Sequence, residues 1–195
     1  QGYAEAQYYL GKWYEKGLGG DDSNSKAVFR FQEAANQGLA VAQYDLGLCY
    51  YNGTGVAIFY SKAMEWFQKA ADQGLADAQY YLGLCYYNGK GVATDYSKAV
   101  EWYHKAADKG LVNAQLALAE CYELGNGVDD NYANAYYWYK KAADKGSNIA
   151  ISMCNDADFI AKANSAKLSL NTFDSSKPPI LSIADNNIQF IDANG

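Results

Sequence analysis

Apolar residues recur at helical spacing in two short runs, Ala78, Leu82 and Tyr86 in the first and Ala99, Tyr103 and Ala106 or Ala107 in the second. Each run gives a helix one inward stripe. The pair is written four times. Ala6, Ala42, Ala78 and Ala114 stand in register, as do Gln7, Gln43, Gln79 and Gln115, Leu10, Leu46, Leu82 and Leu118, and Tyr14, Tyr50, Tyr86 and Tyr122. Gly2, Gly38, Gly74, Gly110 and Gly146 separate the copies at intervals of 36 residues. In the third copy the pattern predicts a helix from about Leu75 to Tyr87, a stop at Asn88-Gly89, and a second helix from about Tyr96 to Lys109. Small residues mark close helix approach at Gly11, Gly47, Gly83 and Ala119 in the first helices and at Ala27, Ala63, Ala99 and Ala135 in the second. Helices of about 13 residues are marginal alone, so stacking of neighbours must supply most of the stability.

The fuller pattern is A-x-A-Q-x-x-L-G-x-x-Y-x-x-G-x-G-V, then D-Y-x-K-A-x-x-W-Y-x-K-A-A-x-x-G. It resembles the Sel-one-like repeat (SLR) family, relatives of the tetratricopeptide repeats with a longer loop, over residues 2 to 146. The resemblance implies an all-α, right-handed α/α superhelical solenoid of four 36-residue helix-turn-helix repeats, at about 2–37, 38–73, 74–109 and 110–146, that acts as an adaptor for protein complexes. Three features depart from the pattern. Arg30 stands where Trp66, Trp102 and Trp138 stand, Ala119 replaces the glycine, and the first repeat carries the turn Gly19-Gly20-Asp21-Asp22. Some members of the family tie each helix pair with a cystine, but the partner positions here hold Ala70/Ala71 and Ala106/Ala107.

After Gly146 the pattern fades. Residues 147–168 read as one capping helix, with Ala150 in register but Ile151, Cys154, Asn155 and Asp158 in place of the repeat's Gln, Leu, Gly and Tyr. All 19 Tyr and all four Trp lie before Gly146. Residues 169–195 read as a polar linker and the start of a truncated β domain. Pro178-Pro179 forbids helix, and Ile180 to Ala184 and Ile188 to Asp192 alternate like the arms of a hairpin. The phrases P-P-I-L-S-I and F-I-D-A-N-G resemble the opening strands of bacterial immunoglobulin-like modules.

Half of the residues are hydrophobic, which fits an ordered chain, and the formal charge of −6 disfavours a nucleic-acid partner. No stretch approaches the roughly 20 apolar residues of a membrane span, and the N-terminus shows no signal pattern. The chain begins with Gln1, almost on a repeat boundary, as expected of a trimmed or processed product whose cellular address is gone.

Candidate chemistry reads as structure. Cys49, Cys85 and Cys121 recur once per repeat, roughly one helix-packing step of 9–10 Å apart, beyond disulfide reach, and read as small half-buried packing residues. One His cannot build a zinc set, and His104 aligns with Gln32, Gln68 and Lys140 on a solvated helix face. The glycines of Gly53-Thr54-Gly55 and Gly89-Lys90-Gly91 read as turn formers, not a phosphate loop, and Asn52 of the formal sequon Asn52-Gly53-Thr54 shares its slot with Asn88. Glu65 and Glu101 are spaced to pair with Lys69 and Lys105. Neither a catalytic set nor a cofactor is expected.

What packing does not require is more informative. At about 100° per residue, the face of each first helix turned away from the sister helix carries Tyr8, then Tyr44, Leu48, Tyr51 and Asn52, then Tyr80, Leu84, Tyr87 and Asn88, then Leu116. In tetratricopeptide-like stacks that face lines the concave groove. Tyrosine and leucine with amide groups suit a protein or peptide partner. The sequence therefore reads as a non-enzymatic interaction scaffold. The alternatives are a regulatory module of a larger enzyme and, less favoured, a saccharide-binding groove.

Overall fold

The computed structural model describes residues 2–170, 181–184 and 187–190. Helices follow the two-run pattern: α1 Gly2–Glu15, α2 Ser23–Asn36, α3 Ala40–Asn52, α4 Tyr60–Asp72, α5 Ala76–Asn88, α6 Tyr96–Asp108, α7 Val112–Leu124 and α8 Tyr132–Ala143. α9 Asn148–Asn155 and α10 Ala157–Leu170 follow, then β1 Leu181–Ala184 and β2 Asn187–Phe190, an antiparallel pair with Leu181 opposite Phe190. The chain divides into two compact units, Gln1–Ala114 and Gln115–Gly195.

In the first unit α1/α2, α3/α4 and α5/α6 pack as pairs, and α2 and α4 pack on the first helix of the next pair. The small residue of each first helix is explained by one ring. A Cβ built on Gly11, Gly47 or Gly83 would lie 2.6, 2.6 or 2.4 Å from a ring carbon of Phe31, Phe67 or Tyr103. The aromatic of the second helix thus lies directly on the backbone of the first. Leu46 and Leu82 are buried beside these rings with Ala42, Ala63, Ala78 and Ala99.

The recurring glutamine joins successive pairs. Gln43 Nε2 donates to the Ala35 carbonyl at 3.2 Å, and Gln79 Nε2 to the Ala71 carbonyl at 3.3 Å. Each meets a last-turn carbonyl of the preceding second helix that also accepts from the closing glycine, Gly38 N at 3.0 Å or Gly74 N at 2.8 Å. Gln73 adds a bond from Nε2 to the Gly38 carbonyl at 2.9 Å and another to Gln43 Oε1 at 2.8 Å. Lys109, at the equivalent position, donates to the Gly74 carbonyl.

The two loop glycines have separate jobs. Gly53 and Gly89 end α3 and α5 in the left-handed region, at φ 75° and 66°. Gly55 and Gly91 let the loop lie on the preceding second helix, since a Cβ there would meet the backbone of Asn24 at 2.4 Å or of Tyr60 at 2.7 Å. Turn chemistry, not phosphate binding, accounts for the G-x-G phrase.

Several expectations are corrected. Residues 147–168 form two helices instead of one, because Asp156 leaves the helical region and its Oδ1 accepts from Phe159 N at 2.7 Å, capping α10. Cys49, Cys85 and Cys121 are fully buried, not half-buried, and free; burial pushes each thiol up to about 12. His104 is half-buried instead of solvated, and desolvation lowers its pKa. Lys69 and Lys105 do not reach Glu65 and Glu101; they lie 3.9 and 3.7 Å from the ring centroids of Trp66 and Trp102. A neighbouring indole face one turn back gives the ammonium a partly desolvated partner, where an exposed carboxylate gives little. Trp66 itself packs on the α2/α3 core. Arg30, at the same position, instead donates from Nη1 to Gln7 Oε1 at 3.0 Å and lies over Phe29. Of the strands expected at 180–184 and 188–192, the structure shows β1 at 181–184 and β2 at 187–190, one residue earlier at its start, while residues 180, 191 and 192, the linker and Pro178-Pro179 fall outside the described residues.

In the second unit α9 and α10 pack on α8. Tyr139 sets its ring on Phe159 of α10 at 5.6 Å and its hydroxyl donates to Glu123 Oε2 at 3.0 Å.

Candidate partner-binding face of the first helices

Each residue singled out on the outward stripe of the first helices keeps some exposure. Tyr8, Tyr44, Leu48, Tyr51, Tyr80, Leu84, Tyr87 and Leu116 are half-buried, and Asn52 and Asn88 are exposed. Ala42, Leu46, Ala78 and Leu82, on the inward stripe of the same helices, are buried. The helix period thus separates the two faces.

Within the first unit the tyrosines are also packed. Tyr44 and Tyr51 each meet Phe67 of α4, with centroids 6.0 and 6.1 Å apart, and each meets the edge of Tyr81 on α5, at 5.7 and 5.6 Å. Tyr80 and Tyr87 repeat the arrangement on Tyr103, at 5.8 and 6.4 Å. One side of each ring is therefore committed to the second helix, and truncation to alanine would cost stability as well as surface. Burial, with Tyr81 and the carboxylates of Asp77 and Asp45 nearby, holds the Tyr44 phenol well above its usual range. Asn88 spends a donor inside its own helix, Nδ2 to the Leu84 carbonyl at 3.0 Å.

Three contributors escaped the pattern. Tyr81 bridges α3 and α5. Lys90, in the following loop, donates to the Tyr51 hydroxyl at 3.0 Å and lies 4.3 Å from that ring's centroid and 5.2 Å from Tyr60. Asp45, which replaces Tyr81 one repeat earlier, is 8% exposed and faces Lys12 Nζ from Oδ2 at 3.4 Å. The position alternates Tyr9, Asp45, Tyr81 and Ala117, so no repeat rule marks it.

The face therefore changes along the first unit, from an ionic group of Tyr8, Lys12, Glu15 and Asp45 to an aromatic one. Lys12 pairs with Glu15 as well as Asp45. Desolvation raises the Asp45 pKa despite the nearby Lys12, and burial with Asp45 alongside raises the Tyr8 hydroxyl to about 12. A carboxyl whose pKa is higher folded than unfolded binds its proton more tightly in the native state. Its charge costs stability at neutral pH, and the cost fades as pH falls through the raised pKa. Asp45→Tyr, which restores the residue of the next repeat, is expected to stabilise the protein by about 1 kcal/mol at pH 7. The gain should shrink toward pH 4; urea titrations at both pH values measure it, and a gain that grew in acid would contradict the assignment.

The described residues hold no group of three His, Cys, Asp or Glu able to ligate a metal, and no helix long and apolar enough to cross a membrane.

The sequence profile of the Sel1 repeat matches residues 4–39, 40–75, 76–111 and 112–147. Among solved structures, the chain is similar to a protective antigen of uropathogenic Escherichia coli displaying an SLR fold, at 34% identity and TM-score 0.79, over 90% of this chain and 39% of the antigen. This chain thus spans well under half of that antigen's length. It is also similar to a Sel1 repeat protein from Oxalobacter formigenes, at 32% identity and TM-score 0.75, over 88% of this chain and 74% of the other. Helicobacter pylori cysteine rich protein B shares the fold at 24% identity and TM-score 0.56, over 69% of this chain and 98% of its own. A search of the curated proteins gave no match.

Proposed function

Because this chain belongs to the Sel1 repeat family of helical solenoid repeats, we propose that it is a non-enzymatic interaction scaffold that binds a peptide or partner protein along the outward face of its first helices. The observation that carries the reading is the matched pair of triplets Tyr44/Leu48/Tyr51 and Tyr80/Leu84/Tyr87 on α3 and α5. Each ring is backed by Phe67 or Tyr103 on one side and half-exposed on the other. Rings held this way present apolar surface and a hydroxyl without further loss of rotamer freedom, as interface anchors do. Asn52 and Asn88 add exposed amides at the ends of the two stripes. Tyr8 extends the proposed face in the first repeat, and Leu116 is proposed as the equivalent contact of the fourth repeat.

Because the tyrosines, and Leu48 with them, also pack on the core, the test places charge on the half-buried leucines and reads the fold alongside binding. Leu48→Arg with Leu84→Arg is expected to keep the helical circular dichroism of the parent and to weaken a partner recovered by pull-down at least tenfold, the effect of about 1.4 kcal/mol at a central contact. Unchanged binding, combined with loss of binding on Trp66→Ala or Trp102→Ala, would move the interaction surface to the second helices.

A further inference from the structure

One second helix opens on two apolar residues where the other three open on polar ones. The residues that open the second helices are Asp22-Ser23, Thr94-Asp95 and Asp130-Asn131, and at the same two positions of the second repeat stand Ile58-Phe59. The backbone there is unchanged. Phe59, Asp95 and Asn131 take φ of −150°, −147° and −151°, and the N–H of each donates to the first helix of its pair, at Tyr50, Tyr86 and Tyr122. Asp95 and Asn131 then cap their helices, through bonds to Lys98 N and to Ala133 and Asn134 N, whereas α4, like α2, has no side-chain cap. Helix formation alone disfavours this choice.

Nor do the two side chains enter the core in exchange. Ile58 is 56% and Phe59 50% exposed. The substitution has a second consequence one turn further on. Asp95 pairs with Lys98 at 3.2 Å, but Lys62, the equivalent lysine, has no carboxylate partner among the described residues. Its ammonium lies over the rings of Phe59 and Tyr50 at 5.3 and 5.5 Å. The second repeat thus carries an exposed apolar pair beside a cation whose local counter-charge has been removed. A local rule broken without a structural return marks a functional position.

We propose that Ile58, Phe59 and Lys62 form a second protein-docking point, at the turn between α3 and α4, for a partner segment that sets an apolar side chain next to a carboxylate. The apolar side chain covers Ile58 and Phe59, and the carboxylate pairs with Lys62 as Asp95 pairs with Lys98. The occupant is read from local charge: Lys62, over the Phe59 and Tyr50 rings and without a carboxylate of its own among the described residues, complements an acid set beside an apolar side chain. This docking point is independent of the outward face of the first helices.

The probe is a fluorescein-labelled dodecapeptide of alternating leucine and aspartate, titrated against the full chain by anisotropy, with residue-level detection by amide chemical shifts. Binding should shift Ile58, Phe59 and Lys62. Affinity should fall tenfold or more when the peptide's aspartates become asparagines, and again for Lys62→Glu. Phe59→Asp is the decisive variant, because it should raise Tm by about 2–4 °C by restoring the cap while abolishing peptide binding. Loss of binding then cannot be laid to unfolding. Leu48→Arg with Leu84→Arg should leave this peptide's affinity unchanged, which separates the docking point from the face proposed above. The proposal is overturned if no peptide binds, if Phe59→Asp binds as the parent does, if the asparagine peptide binds equally well, or if the chain prefers phosphatidylcholine vesicles to the peptide.

Discussion

Phe67→Ala is expected to cost about 3–5 kcal/mol of unfolding free energy, the range for a large aromatic removed from a closed core. Phe67 is 0% exposed and, from α4, touches both α3 and α5. Its ring lies on Gly47 of α3, and Tyr44, Tyr51 and Tyr81 stand 6.0, 6.1 and 5.2 Å away. None of these rings can fill the void without leaving its own partner, so collapse is limited and the cavity term stays large. The loss also falls where one repeat meets the next. Repeat stability is close to a sum of unit and nearest-neighbour terms, so weakening the α3/α4/α5 junction should broaden the urea transition as well as lower its midpoint. Circular dichroism during urea unfolding measures both. A cost below about 1 kcal/mol would mean that the junction repacks freely and that the aromatic cluster is not what joins the second repeat to the third.

Periodicity made the helices legible, and with them the buried stripes. A residue that recurs every 36 positions must serve the repeat, and Leu82 and Gly83 could be assigned on that ground alone. The same logic was blind to partners. Gln43 and Gln79 were seen to recur, but their bonds to Ala35 and Ala71 run backward to the preceding helix, a direction that a helical wheel does not contain. Lys69 illustrates the limit differently: Glu65 and Trp66 are both one turn away, and only the packed position of the indole decides between them. The outward face was legible as a stripe and not as a surface. Tyr8 and Tyr44 are equivalent by pattern, yet the variable position of the following repeat sets the ring of Tyr81 against Tyr44 and the carboxylate of Asp45 against Tyr8. Side-chain identity at one variable position sets how much of each ring remains for a partner. The break at Asp156 was missed because a capping aspartate inside a helical run looks like any polar residue until its side chain is seen on Phe159 N.

Gly47→Ala separates packing from helix propensity, because the two predict opposite signs. In the middle of α3, alanine should be favoured over glycine by about 1 kcal/mol. The added methyl would nevertheless sit 2.6 Å from two ring carbons of Phe67 and 3.3 Å from the Ala63 carbonyl. The ring cannot swing away, because Tyr81 packs on it at 5.2 Å, and the carbonyl belongs to helix backbone. Overpacking of this kind costs about 1–3 kcal/mol, so a net loss is expected despite the propensity gain. A double-mutant cycle assigns the cause. Phe67→Leu alone should destabilise, but with the ring gone the alanine methyl should find room, and the combined variant should lose less than the sum of its parts by about 0.5–3 kcal/mol. Gly11→Ala against Phe31 should behave in the same way, since its Cβ would also meet ring carbons at 2.6 Å. Should Gly47→Ala raise the urea midpoint, or the two changes simply add, then the glycine would not be there to seat the ring, and helix spacing in each pair would have to be set by Ala63 and its equivalents instead.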